Sequence, residues 1–319
     1  MICANHVITT IAMLFVLFTC SPKLEISLRP TGLTQEDAIT IKNGNLMVTF
    51  IDNKKYGEHH RAGYNGIAEL FHAVQDSAVF VPFYAGFNLE HIFGGDSLSE
   101  LFEPRKHPMM LFRKSENEVL LYQEPTPISA VESLTAFKVT APHYIDITFQ
   151  CIFHNVDFFQ HNYAGLFWAS YINQPTDRKI YFMGTPQDHS EISWIEAFSA
   201  KHGLKSTHKH IEDDQNFYFA DNFNATLASH FSDYRFSSPF YFGKFHNMVF
   251  AYLFDSNEII RFSQSPTGGG EFNPAWDFQY LIPNPKADKV YTFRSRIIYK
   301  PFMNKEDVSH EYENWKRQR

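Results

Sequence analysis

Residues 143–153, HYIDITFQCIF, alternate without a break: Ile145, Ile147, Phe149, Cys151 and Phe153 fall on one side of an extended chain, and Asp146, Thr148 and Gln150 on the other. A period of two sends successive side chains to opposite faces, so this segment is a strand with one buried and one wetted face. Strand signals of this kind recur at 46–51, 110–114, 119–123, 134–140, 166–172, 179–183, 248–254, 259–264, 276–282 and 290–300, with turn residues between them. So many strands exceed one small sheet, whereas two large antiparallel sheets packed face to face bury one face of each. The expected class is all-β, a large two-sheet antiparallel sandwich. Helical signals are few. Residues 66–74 (GIAELFHAV) have room for about two turns. Residues 304–316 (NKEDVSHEYENWK) predict a terminal helix, with Asn304 as cap, Glu306 and Asp307 in the first turn and basic residues at its end.

Ahead of the strands, residues 8–19 (ITTIAMLFVLFT) form an apolar run whose only nearby preceding basic group is His6. The run is short for a transmembrane helix and reads as the apolar part of a signal peptide. LFTC, ending at Cys20 and followed by Ser21 and Pro22, resembles a bacterial lipoprotein cleavage site. Lipidation of Cys20 and simple cleavage are both open readings, with retention as a short anchor a third. The expected organisation is a leader over 1–20 and one β-sandwich domain over 21–319, carried by an exported protein that is periplasmic, secreted or held at the cell surface. Membrane contact is expected only through a lipid on Cys20. Losing the leader removes Cys3 and leaves Cys151 beside Cys20, so no disulfide framework follows. In its alternating strand Cys151 reads as a small buried hydrophobe rather than a nucleophile. The formal net charge is -7 and the basic residues are scattered, which argues against nucleic acid and anionic membrane as partners.

Aromatic residues make up 17% of the chain, enough to fill a large core and also to offer flat apolar faces to sugar rings. Three segments concentrate groups able to do chemistry. In 58–66, Glu58, His59, His60, Arg61, Tyr64 and Asn65 lie around Gly63 and Gly66, which let the backbone turn so that side chains converge. Arg61 offers a planar donor fork, and His60 and Tyr64 are residue types that transfer protons. In 84–91, alternation puts Asn88 and Glu90 on one face and Leu89 and His91 on the other, so only one of Glu90 and His91 points into a given cleft. The alternative is a Glu–His pair exposed at a strand end. In 264–279 (QSPTGGGEFNPAWDFQ) the glycines lack the ending of a phosphate loop and mark a tight excursion between strands. Beyond them Asp277 and Gln279 share one face, while Trp276, Phe278 and Tyr280 share the packing face. Trp168, Tyr171, Trp194 and Trp276 serve either as stacking platforms or as core. His202, His208 and His210 form a basic loop that either attracts acidic sugars or is solvated. The histidine pairs match no zinc spacing, so neither metal nor cofactor is expected.

Asp277-Phe278-Gln279, then Ile282-Pro283-Asn284-Pro285, then residues 290–299 (VYTFRSRIIY) together resemble the C-terminal end of galactose mutarotase-like proteins. The resemblance implies the supersandwich fold, places Asp277 at the family's catalytic-base glutamate and Gln279 at its glutamine, and pairs the Arg61 loop with the family's early sugar-binding arginine segment. The family's central strand carries a proton-donating histidine; its counterpart here, 166–173 (LFWASYIN), has none. The likeness therefore speaks for the fold more than for aldose epimerisation. The chain is also similar to secreted proteins of polysaccharide-degrading bacteria that share its HRAGYNG, GLFWASYI and SQSPTGGG strings.

These readings converge on an exported carbohydrate-active protein. Its expected catalytic residues are His60, Tyr64, Glu90 and Asp277, and its expected sugar-binding residues are His59, Arg61, Asn65, Asn88, His91, Trp168, Gln264 and Gln279. A lyase acting next to a uronate carboxylate suits them best, with Arg61 neutralising the carboxylate and His60 or Tyr64 as base or acid. Hydrolysis by Glu90 with Asp277 is the less economical enzyme reading. The alternative from a different class is a non-catalytic surface glycan-binding protein using the same groove. Either way the 58–66 loop and the Asp277 strand are expected to meet across one concave site.

Overall fold

The computed structural model describes residues 26–186, 191–255 and 257–318. The leader expected over 1–20 lies outside the described residues. The first strands are Gln35–Glu36 (β1), Ala38–Asn43 (β2), Leu46–Ile51 (β3), Gly66–His72 (β4) and Asn88–Phe93 (β5), followed by a short helix at Glu103–Lys106 (α1). Next come Met109–Arg113 (β6), Glu118–Gln123 (β7), Val131–Thr140 (β8), Tyr144–Phe153 (β9) and Tyr163–Ala169 (β10). Then follow Ile180–Pro186 (β11), Ser193–Ala197 (β12), Thr207–His210 (β13), Phe231–Phe236 (β14) and Phe240–Phe245 (β15). Met248–Phe254 (β16), Ile259–Gly270 (β17), Asn273–Pro283 (β18) and Val290–Pro301 (β19) complete the strands, and Lys305–Arg317 (α2) is the terminal helix.

Sixteen of these strands form one sheet, in the order β1-β6-β7-β8-β9-β19-β16-β15-β11-β14-β13-β17-β18-β10-β5 with β12 beside β11, while β2-β3-β4 form a second. Only β13 and β14 pair in parallel. The large sheet curls over on itself, because the apolar rows of its two ends need each other. Trp168 of β10 stacks on Phe278 of β18 (5.1 Å between centroids, 6° between planes) and meets Phe149 of β9 at 4.8 Å and Phe293 of β19 at 5.1 Å. Phe278 in turn packs on Phe254 of β16 at 4.7 Å. Phe50 of β3 meets Phe137 of β8 at 5.0 Å, which fits the small sheet onto the same core. Buried rings of this size are costly to remove, about 3–5 kcal/mol for Phe or Trp to Ala.

Two further layers cover the outside of this sandwich. Over β15, β16 and β19, Val308, Tyr312 and Trp315 of α2 bury against Phe240, Phe242 and Ile298. The helix starts where the sequence signals it, with Asn304 Oδ1 accepting from the Asp307 amide at 2.8 Å. On the other outer face, Phe167, Ala169, Ala275 and Leu281 of β10 and β18 lie under loop residues including Phe223, Ala225 and Ala228. The candidate site adjoins this layer: Glu90, His91 and Tyr171 are largely buried, while Tyr64 and Tyr84 are partly exposed and Arg61 is exposed. Among the described residues no helix is long and apolar enough to cross a membrane.

One element differs in kind from its expectation: 66–74 is not helical, and β4 occupies most of it. The spacing of Ile67 and Leu70, both fully buried, imitates a helix face. It arises instead from a bulge. Thr49 pairs with Glu69 and Phe50 with Ile67, which leaves Ala68 as an extra residue and returns Ile67 and Leu70 to one side.

Candidate functional site

A second bulge creates the site. Along β5, Phe167 pairs with His91 and Trp168 with Leu89, so Glu90 has no partner in β10. The extra residue breaks the alternation expected there. Glu90 and His91 now point the same way, with His91 Nε2 3.3 Å from Glu90 Oε1. His91 is oriented by its other ring nitrogen, which hydrogen-bonds the Leu101 carbonyl.

Glu90 Oε2 collects donors from three elements. Asn88 Nδ2 donates at 3.0 Å, the Tyr171 hydroxyl donates in a short contact, and Arg105 Nη1 lies at 3.5 Å. Asn88 and Asn65 are the clip beneath it. Asn65 Nδ2 donates to Asn88 Oδ1 at 2.9 Å and to the Leu89 carbonyl at 3.1 Å, while Asn65 Oδ1 accepts from the Leu89 amide. Both asparagines are buried, so they position Glu90 and do not face a ligand. Gly66 makes this approach possible: at φ +96° a Cβ would stand 2.6 Å from the Phe87 carbonyl oxygen.

Arg105 comes from α1, which sequence reasoning passed over. The helix is tied down by Asn53, whose Nδ2 donates to the His107 carbonyl at 2.5 Å, and by Glu103, whose carboxylate accepts from the Ile128 amide at 2.7 Å. So held, the Arg105 guanidinium lies between the Tyr64 ring at 3.7 Å and the Phe102 ring at 4.6 Å. Tyr64, Tyr84 and Tyr171 form a continuous aromatic group, with centroids 4.7, 4.9 and 5.5 Å apart. Arg61 extends it outward. Its exposed guanidinium sits 5.3 Å from the Phe83 ring and 5.6 Å from Tyr84. Across the face, His202 hangs from Ser265, Nδ1 to Oγ 3.0 Å, on a loop the sequence marked without joining it to Glu90.

The electrostatics separate two carboxyl groups. Burial pushes Glu90 up, but the hydrogen bond and charge of His91, the charge of Arg105 and the Tyr171 hydroxyl outweigh it, so Glu90 is held below the usual carboxylate range. Asp277 goes the other way. It is fully buried, accepts one bond from the Ser170 amide at 2.9 Å and has its Oδ2 unpartnered. Desolvation, with the Glu90 charge adding to it, raises Asp277 well above the carboxylate range, so it stays protonated. Burial and the Glu90 charge likewise keep the Tyr171 phenol protonated as a donor. Burial lowers the His202 imidazole, and the Glu90 carboxylate opposes that shift across the site.

The expected site residues therefore divide. Tyr64, Glu90, His91 and Arg61 gather on one surface, with Asn65 and Asn88 supporting it. Asp277 underlies this surface but is sealed from ligand. His60 is buried, its Nδ1 accepting from the Tyr56 amide at 3.3 Å and its Nε2 unpartnered, and desolvation lowers its imidazole to about 4. Its ring is 6.4 Å from Tyr64 and contributes nothing to Glu90. His59 is exposed beside Phe83 at 5.9 Å. Trp168 is core, not a platform, because its row faces β9 and β19. Gln264 lies on the packing side, 3.1 Å from His208 Nε2, and Gln279 donates to the Ala228 carbonyl beneath a covering loop. Arg105, Tyr84 and Tyr171 complete the site in their place. Among the described residues no three His, Cys, Asp or Glu side chains gather as a metal ion requires.

No protein-family model and no curated sequence matches the chain. In solved structures it is similar to a protein of Escherichia coli K12 assigned as an aldose 1-epimerase, at 10% identity and a TM-score of 0.48, over 83% of this chain and 99% of that one. It is also similar to a heparan sulfate lyase from Pedobacter heparinus, at 9% identity and a TM-score of 0.42, over 86% of this chain and 37% of that one. The chain thus spans little more than a third of the lyase's length.

Proposed function

We propose that this is an exported carbohydrate-binding protein whose ligand lies over Glu90. One observation carries the reading: an ionised carboxylate is fixed beside an aromatic surface with one of its oxygens under-used. Oε2 meets three donors, whereas Oε1 meets His91 alone. A carboxylate has about four acceptor positions, so Oε1 can take a sugar hydroxyl, a charge-assisted bond that contributes about 1.5–3 kcal/mol. Tyr84, partly exposed, offers an aromatic surface to the apolar side of a pyranose, with Tyr64 beside it beneath Arg105. The apolar leader at residues 8–19 supports a place outside the cytoplasm.

Binding without turnover is the better supported form. A carboxylate held below its usual range is a weak base, and Asp277, sealed from solvent, cannot act as the second carboxyl group of a hydrolase. A uronate-directed lyase is the second reading. The Arg105 guanidinium over the Tyr64 ring is the feature that suits it, although burial still leaves that phenol above its ordinary range. Titration calorimetry against neutral and acidic polysaccharides, with absorbance of unsaturated uronates and reducing ends followed in parallel, tests both. Binding without product supports the proposal. Unsaturated product that disappears in Tyr64→Phe replaces it with the lyase, and no binding to any polysaccharide refutes both.

A further inference from the structure

The chain leaving the Glu90 site leads directly to a concave surface. Tyr171, which bonds Glu90, bridges to Ala275 of β18, and three residues on the Gln174 amide donates to Asn273 Oδ1 at 2.9 Å. Here a groove of about 510 Å³ is lined by Gln174, Pro175, Asp177, Arg178, Phe198 and Phe272. Two of its walls are apolar rings left in water: Phe272 is 63% exposed and Phe198 46%. Phe272 sits in the two-residue turn between β17 and β18, where turn geometry favours small polar residues and asks for no ring.

Arg178 ties these walls together. Its guanidinium carbon is 5.5 Å from the Phe198 centroid, and Nη1 donates to the Glu271 carbonyl at 3.2 Å. The arrangement repeats that of Arg61 on Phe83 and Tyr84. Arg29, Arg105, Arg113, Arg261 and Arg296 each pair with a carboxylate, whereas among the described residues Arg61 and Arg178, like Arg235, Arg294 and Arg317, form no such pair, and of these only Arg61 and Arg178 lie against aromatic rings. The two platforms also adjoin, since a Cβ on Gly269, near the tip of the β17–β18 hairpin, would lie 3.2 Å from Val81, two residues before Phe83. With a net charge of -7, the molecule as a whole does not attract anions. Two aromatic-backed arginines with no carboxylate partner are therefore local features that call for a negative ligand group each.

We propose that this groove is a second subsite for the same ligand, and that the ligand is an acidic glycan chain long enough to lie across both arginine platforms. The proposal rests on the carbohydrate reading of the Glu90 site and adds its charge and length. Joining two weak contacts on one chain raises affinity by roughly a hundredfold or more over either alone. The test compares digalacturonate with hexagalacturonate, and cellobiose with cellohexaose, by calorimetry on the full protein, on Arg178→Ala/Phe272→Ala and on Glu90→Gln. Both residues of the double variant are on the surface, so its melting temperature is expected to match wild type. The expected result is a tenfold or greater loss for hexagalacturonate in the double variant, no change for digalacturonate, and weaker binding of both neutral sugars throughout. Wild-type hexagalacturonate affinity in the double variant, or neutral chains bound as tightly as acidic ones, overturns the subsite while leaving the Glu90 reading in place. An effect of the double variant with none from Glu90→Gln overturns the Glu90 reading instead. No binding of any of the four sugars overturns both.

Discussion

Replacing Glu90 by glutamine keeps the size of the side chain and removes the charge on which four neighbours depend. Asn88 and the Tyr171 hydroxyl donate to it, and His91 and Arg105 stand at 3.3 and 3.5 Å. Deleting one partner of a fully buried ion pair costs roughly 3–5 kcal/mol, and a hydrogen bond to a charged group contributes about 1.5–3 kcal/mol. The Arg105 side chain is 14% exposed, so water reaches it once its partner is gone and the cost falls to or just below the bottom of the ion-pair range, about 2–3 kcal/mol. In a chain of this size that corresponds to a fall of roughly 3–5 °C in melting temperature. Loss of the acceptor at Oε1 should weaken glycan binding about tenfold or more, since each tenfold is about 1.4 kcal/mol. The pH dependence has a definite sign. The Glu90 pKa is lowered by folding, so its contribution is complete above the ordinary carboxylate range and disappears as pH falls through the lowered value. Melting curves of wild type and Glu90→Gln, followed by circular dichroism at pH 7 and at pH 3, should show a gap at pH 7 that narrows at pH 3. A gap below about 1 °C at pH 7, or one that widens on acidification, would refute the assignment of Glu90 as the ionised centre of the site.

Four further outcomes are expected. Because Asp277 stays protonated when folded, Asp277→Asn should be more stable than wild type at pH 7 and should lose that advantage near pH 4, as paired urea titrations would reveal; equal stability at both pH values would contradict the buried acid. Arg61→Ala should lower glycan affinity about tenfold while the melting temperature moves little, because the guanidinium is exposed on Phe83 and Tyr84. Burial pushes Glu311 up, yet hydrogen bonds from His143, Lys300 and Tyr144 hold it at about 2. Glu311→Gln should therefore loosen α2 at a cost of about 1–2 kcal/mol at pH 7, a cost that fades between pH 4.5 and 2. Mass spectrometry of the native protein should find nothing before about Cys20 or Ser21, and an intact Met1 would remove the leader reading.

The sandwich was legible because burial on one face enforces period two over long stretches, as in β9, where Ile145, Ile147 and Phe149 are all buried. Two of the failures share one cause. Ala68 and Glu90 are single-residue insertions into strands, and counting by twos cannot detect them. The first made a strand look like a helix turn, and the second hid the fact that Glu90 and His91 point to the same side. Arg105 was illegible for another reason: α1 has only four residues, and its position is set by Asn53 and Glu103 through contacts distant in sequence. Asp277 was read on the correct face of β18, but alternation reports direction and not depth, so it could not show that a covering layer seals that part of the face.

The place of β19 in the large sheet governs when the molecule can exist as a folded body. It pairs with β9 along one edge and with β16 along the other, and among the described residues no other strand joins β1 and β6–β9 to the remainder of that sheet. Until β19 leaves the ribosome, β9 and β16 have open edges able to pair with other chains. The contacts that close the sheet also join residues far apart in sequence, which makes closure slow. The nascent chain is thus kept from premature completion by its own topology. Under the proposed export this delay has a use, because a sheet closed early would have to be unfolded to pass a translocation pore.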